Sequence, residues 1–168
     1  FFEIERQDLT FAIRQLLEGG SSFPDRTTWK QTISGWQERF PLTYTQSEPG
    51  EALKPQYVLQ RLQQAAPDDT IVCSGVGQHQ MWEAQYYHHE APRSLITSGG
   101  LGTMGFALPA AIGAKIARPD AEVWAIVGDG GFQMTMAELA TLAQEDLDVN
   151  IAIINNNYLG MVRQWQDR

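Results

Sequence analysis

An aspartate lies among glycines, Gly128-Asp129-Gly130-Gly131, directly after the apolar run Val123-Trp124-Ala125-Ile126-Val127. A second apolar run, Ile151-Ala152-Ile153-Ile154, ends in Asn155-Asn156, which places Asn156 27 residues after Asp129. If the two runs are neighbouring parallel strands, the carboxylate and the amide oxygen meet at one edge of the sheet. One carboxylate, one amide oxygen and a nearby main-chain carbonyl form a hard, incomplete oxygen set, suited to Mg²⁺ completed by phosphate oxygens and water. Taken singly, each motif also reads as a glycine turn with an Asp or Asn cap; the pairing and spacing favour the metal. Gln78 and His79 open a predicted helix, where main-chain N–H groups and side-chain donors can receive an anion. Gly100-Leu101-Gly102-Thr103-Met104-Gly105 matches the dinucleotide fingerprint by letter. That fingerprint also requires an acidic residue about 20 positions on, at the end of the next strand. Asp120 has the spacing but precedes its strand, and Asp129 belongs to a different glycine turn, so a dinucleotide-binding oxidoreductase is the weaker enzyme reading.

These residues need elements to hold them. Asp8 can cap a helix through Leu9, Ile13, Leu16 and Leu17 to Gly19-Gly20, and Asp25 another through Trp29, Ile33, Trp36 and Phe40 to Pro41. Trp29 and Trp36, seven apart, read as one packed helical face. The polar break Gln46-Ser47-Glu48-Pro49-Gly50 is taken as a boundary, with residues 1–50 a linker or the end of a preceding domain and 51–168 a cofactor domain. A helix over Lys54–Ala66 leads to the turn Pro67-Asp68-Asp69. From there short apolar runs alternate with helical stretches: strands at 70–73, 95–97, 123–127 and 151–154, helices at 78–88, after the glycine run 98–105 and on to Arg118, at 135–144 and from near Gly160. Four strand-helix units in succession predict an α/β fold, an open parallel sheet with helices on both faces, preceded by the helical linker. Ligands of such sheets bind beyond the carboxyl ends of the strands, which is where every unusual motif lies.

Composition narrows the classes of function. With 12 Lys and Arg against 20 Asp and Glu the formal net charge is -8, a field that repels phosphate backbones and anionic lipid, so neither nucleic acid nor membrane is an expected partner. Cys73, the single cysteine, excludes an intrachain disulfide and multi-cysteine metal sites and reads as a small buried residue. No run approaches the roughly 18 apolar residues of a membrane span, and Phe1-Phe2-Glu3-Ile4-Glu5-Arg6 lacks a signal-peptide layout. The absence of an initial Met and the ending Trp165-Gln166-Asp167-Arg168, in mid-pattern, suggest a piece of a longer polypeptide, truncated at its C-terminus. His88-His89-Glu90 reads as an exposed helix cap, and Met134 and Met136 as either core or cofactor contacts.

Gly128-Asp129-Gly130 followed by Asn155-Asn156 resembles the signature of thiamine diphosphate enzymes. Gly75-Val76-Gly77-Gln78-His79-Gln80-Met81-Trp82, Ser98-Gly99-Gly100-Leu101-Gly102-Thr103-Met104-Gly105-Phe106 and Leu159-Gly160-Met161-Val162-Arg163-Gln164-Trp165-Gln166 resemble the acetolactate synthase (acetohydroxyacid synthase) large-subunit family over residues 54–168. The resemblance implies thiamine diphosphate and Mg²⁺ as cofactors, with FAD in the full-length enzyme. It implies Asp129, Asn156 and the main-chain oxygen of Tyr158 as metal ligands. Gln78, His79, Gly102, Met104, Gly128, Gly130, Gly131, Gly160 and Met161 join Asp129 and Asn156 as cofactor contacts. Met104 corresponds to the wedge that keeps the two cofactor rings folded together, and Trp165 lines the substrate pocket. The implied reaction condenses pyruvate with a second 2-oxo acid, pyruvate or 2-ketobutyrate, releasing CO₂ in branched-chain amino-acid biosynthesis. No catalytic acid is found in this segment, and in the family that Glu comes from another domain across a subunit interface. A second catalytic subunit is thus implied as partner, room is left for a regulatory subunit, and the 168 residues alone are expected to be inactive. The location implied is cytoplasmic, or plastid in a plant or alga. Pyruvate oxidase shares the metal motif and is the alternative within the class.

Overall fold

The computed structural model describes residues 25–168 together with Arg14. The chain divides into two compact units, Phe1–Thr43 and Tyr44–Arg168. The helix expected between Asp8 and Gly20 lies outside the described residues. In the first unit α1 spans Thr27–Arg39. Asp25 prepares its start, its carboxylate accepting the N–H and the hydroxyl of Thr27 at 2.9 and 2.6 Å. Trp29 and Trp36 meet edge to face with ring centroids 5.5 Å apart. Both indoles stay about half exposed, so they pack on each other along the helix.

The second unit is the α/β body. In chain order its elements are α2 (Pro55–Ala65), β1 (Ile71–Ser74), α3 (Gln78–Tyr86), β2 (Leu95–Thr97), α4 (Ala107–Ala117), β3 (Val123–Gly128), α5 (Asp129–Thr135), a 3₁₀ turn at Met136–Glu138, α6 (Leu139–Gln144), β4 (Asn150–Ile154) and α7 (Gly160–Gln166). The four strands form one parallel sheet in the order β2-β1-β3-β4. Alternation along the strands divides the core in two. Ile71, Cys73, Val123, Ala125 and Val127 turn to one face and pack with Ala107, Ala111 and Ala114 of α4. Val72 and Ile126 turn to the other, against Leu59 and Leu62 of α2 and Tyr86 of α3. Both faces are covered, as a parallel sheet requires, because its crossovers lay helices on both sides. The alanines of α4 let that helix lie close to the sheet, while the opposite layer is filled by leucine and tyrosine. β4 forms one edge of this sheet, with Ile153 45% exposed.

One expected element differs. The helix placed at 135–144 starts at Asp129, directly after the strand, and is interrupted at Met136–Glu138 before resuming. Gly128 keeps an extended backbone and serves as N-cap, so Asp129-Gly130-Gly131 is a first helical turn, not a loop. Glycine lowers helix propensity, but Asp129 in that first turn favours it. Among the described residues no helix is long and apolar enough to cross a membrane.

Candidate functional site

Topology creates the cleft. The chain leaving β1 turns into α3, on the face of Leu59 and Tyr86, whereas the chain leaving β3 turns into α5, whose Phe132 packs on the α4 face. β1 and β3 are neighbours, so the two connections diverge from adjacent strand ends and open a crevice between them, the switch point of an open α/β sheet. A pocket of about 220 Å³ occupies it, walled by residues 76–82, 128–131 and 158–162 with Met104, Ile154 and Asn156.

Most of the expected residues meet there: Gln78, His79, Met104, Gly128, Asp129, Gly130, Gly131, Asn156, Tyr158, Gly160 and Met161 all line the pocket. Gly102 and Trp165 do not. Gly102 lies on the exposed loop after β2, with φ +66. Trp165, on α7, is 71% exposed, and the Arg168 guanidinium lies 5.3 Å from its ring. Val76, Met81, Trp82, Leu159 and Val162 also line the pocket and were not expected to. For Met81 and Trp82 a signal existed, since they lie three and four residues beyond Gln78 on the same helical face. For Leu159 the sequence holds none. Met134 and Met136 are more than half exposed, neither core nor pocket.

His79 is buried, and its ring fills the space beside Gly75, where a β-carbon would come within 2.7 Å of Nε2. Burial pushes its pKa down to about 4, against the pull of the nearby Asp129 carboxylate. The imidazole is therefore neutral at pH 7, with Nε2 buried and without a hydrogen-bond partner. On the other wall Leu159 folds over Gly130 so closely that a β-carbon there would meet Cδ2 at 2.5 Å. The Asn155–Tyr158 loop is held by its own side chains: Asn155 Oδ1 accepts Asn157 N–H at 2.9 Å, and Asn156 Oδ1 accepts Tyr158 N–H at 3.0 Å. Asn156 Nδ2 donates to Gln78 Oε1 at 3.2 Å. The Tyr158 ring carries the Arg163 guanidinium 3.8 Å from its centroid, and Arg163 in turn pairs with Asp167 at 3.1 Å.

The donors available to a divalent cation are hard oxygens, with Asp129 the charged member. Among the described residues no group of three or more His, Cys, Asp or Glu could hold a metal ion. A cation here would thus complete its shell from the oxygens of a ligand, the pattern of a Mg²⁺-phosphate site. The first turn of α3 faces the same pocket with main-chain N–H groups suited to an anion.

His88-His89-Glu90 corrects the exposed-cap expectation in part. His88 and Glu90 are exposed, but His89 is only partly so. It stacks on Tyr87 at 4.7 Å and pairs with the buried Glu83, whose carboxylate would otherwise lack a partner.

Residues 75–168 match the family described as "Thiamine pyrophosphate enzyme, C-terminal TPP binding domain", and the chain belongs to it. The body is similar to a thiamine diphosphate-dependent 4-hydroxybenzoylformate decarboxylase from Rhodococcus jostii RHA1, with TM-score 0.67 and 28% identity over 74% of this chain and 23% of that one. Within this class the chain is similar to acetolactate synthases. It is 54% identical over 142 residues to that of Mycobacterium leprae, covering 84% of this chain and 23% of the relative. It is 54% identical to the acetolactate synthase large subunit of Corynebacterium glutamicum, covering 84% of this chain and 22% of the relative. Acetolactate synthase 2, chloroplastic, of Nicotiana tabacum is 49% identical over 86% of this chain and 21% of its own length. The chain spans about a quarter of the length of these relatives.

Proposed function

We propose that this chain is the cofactor-holding part of an acetolactate synthase catalytic subunit, which condenses pyruvate with a second 2-oxo acid and releases CO₂. One observation carries the reading: a chain 54% identical to acetolactate synthases has a helix start at Gln78 and the oxygen-bearing residues Asp129, Asn156 and Tyr158 lining one pocket at the switch point of its sheet. When bound, thiamine diphosphate supplies the carbanion chemistry, and the protein supplies orientation and electrostatics. Asp129, Asn156 and the Tyr158 carbonyl would hold Mg²⁺, while Gln78 and the first turn of α3 receive the diphosphate. Neutral His79 offers a hydrogen bond there without adding a charge. Met104, a flexible thioether on the pocket wall, would pack against the cofactor and adapt to its shape. Gly128, Gly130 and Gly160 leave room for the His79, Leu159 and Gln78 side chains that wall the pocket, and Gly131, Met161 and, on the loop after β2, Gly102 are assigned to the surroundings of the cofactor. Trp165 is assigned to the acceptor pocket, and the subunit that supplies the pyrimidine-side domain completes that pocket. FAD and any regulatory subunit belong to parts of the enzyme beyond these residues. The location proposed is the cytoplasm, or the plastid if the source is a plant or alga.

Asp129→Ala in the full-length enzyme is the direct test. Removing the one charged ligand should abolish Mg²⁺-dependent retention of thiamine diphosphate, measured by equilibrium dialysis with and without EDTA. Unchanged cofactor affinity would dismiss the metal assignment.

A further inference from the structure

Both ends of the Asn156 side-chain amide are held. Nδ2 donates to Gln78 Oε1 at 3.2 Å, and Oδ1 accepts the Tyr158 main-chain N–H at 3.0 Å. A main-chain N–H can only donate, so the atom facing it is the oxygen, which settles the sense of the amide. With the nitrogen turned to Gln78, the second lone pair of Oδ1 is left for another partner. Gln78 lies 78 residues away in sequence, so this hydrogen bond ties the start of α3 to the loop after β4. The fit is close: a β-carbon on Gly160 would overlap Gln78 Oε1, so the carboxamide occupies the room a side chain at 160 would need. Gln78 is steadied in turn by Nε2, which reaches Gln164 Oε1 at 3.5 Å.

We infer that Gln78 is a positioning residue for Asn156, holding its amide in the rotation that presents oxygen to a hard cation. The inference rests on the metal reading proposed above and adds to the role of Gln78 beside the diphosphate. Rotated by half a turn, the amide would offer the cation an –NH₂ group, the positive end of its dipole. Without Gln78, only the single N–H of Tyr158 opposes that rotation.

A double-mutant cycle in the full-length subunit tests this, with thiamine diphosphate present and Mn²⁺ standing in for Mg²⁺, free Mn²⁺ being counted by electron paramagnetic resonance. Gln78→Met approximates the length of Gln78 but removes the acceptor. Asn156→Asp has oxygen at both ends and leaves nothing to orient. In the Asn156 background Gln78→Met should weaken Mn²⁺ binding about two- to tenfold, the worth of one hydrogen bond. In the Asn156→Asp background its effect should be clearly smaller, because the coupling to the amide is gone and only the contribution of Gln78 at the diphosphate is left. An equal loss in both backgrounds would overturn the inference and leave Gln78 acting on the diphosphate alone. The metal reading fails separately, and the inference with it, if Asn156→Ala leaves Mn²⁺ affinity unchanged. Should Gln78→Met not fold, as judged by its thermal midpoint, Gln78→Ala is carried through the same cycle with the same expected pattern.

Discussion

Cys73 lies in β1 with no exposed surface, and burial pushes its thiol up to about 12. The unfolded thiol titrates near its ordinary value of 9.0, so between about pH 9 and 12 the unfolded state loses a proton that the folded state keeps. Stability should therefore fall as pH rises through that window, and less so in Cys73→Ala. At pH 8 an aromatic disulfide reagent should leave the folded chain unlabelled and label it at once in urea; rapid labelling of the folded state would contradict the burial. Trp165 gives the second residue-level prediction. If it packs on the ethyl group of 2-ketobutyrate in the full enzyme, Trp165→Leu loses contact with one methylene, about 1–3 kcal/mol or roughly 10- to 200-fold in acceptor selectivity. A competition assay with mixed 2-oxo acids reads the ratio of acetohydroxybutyrate to acetolactate, and an unmoved ratio removes Trp165 from the pocket. Its exposure here shows why sequence could name the residue but not its surroundings: an indole at a given helical position looks the same whether it faces core, ligand or another subunit. Asp129 and Asn156 were more legible because their chemistry is tied to strand ends, whose positions follow from the apolar runs before them.

Among the elements, α2 is the clearest case of a helix held by packing. Leu59 has no exposed surface and Leu62 almost none, and with Val72 and Ile126 they make the layer on that face of the sheet. Leu59→Ala should cost about 2–5 kcal/mol, the range for a large-to-small change in a closed core. Urea unfolding followed by far-ultraviolet circular dichroism measures it, and a loss under about 1 kcal/mol would mean that the layer relaxes around the gap. The strands were legible because parallel, doubly covered strands are short continuous apolar runs. The helix after β3 was misplaced for an equally physical reason: glycines at 130 and 131 read as a turn by propensity. What they provide instead is space under Leu159 and beside the pocket, a tertiary demand that local sequence does not display. The Gln78–Asn156 contact was hidden likewise, since nothing local joins residues 78 positions apart.

At the scale of the whole molecule, the 168 residues are proposed to carry the diphosphate and metal half of a site, with the catalytic acid expected from another domain. The purified chain supplied with thiamine diphosphate and Mg²⁺ should release no CO₂ from pyruvate, measured with carboxyl-labelled substrate. Turnover would show that it carries an acid of its own. The sheet has a further consequence through β4, which among the described residues pairs only with β3 and shows Ile153 on its surface. Every second amide along β4 points away from β3, so exchange with deuterated solvent should alternate residue by residue there, fast outward and slow inward. The same open ladder is a template for a like strand. Concentration then becomes a variable of the isolated chain, and crowding favours edge-to-edge growth toward filaments that a covered β4 would stop.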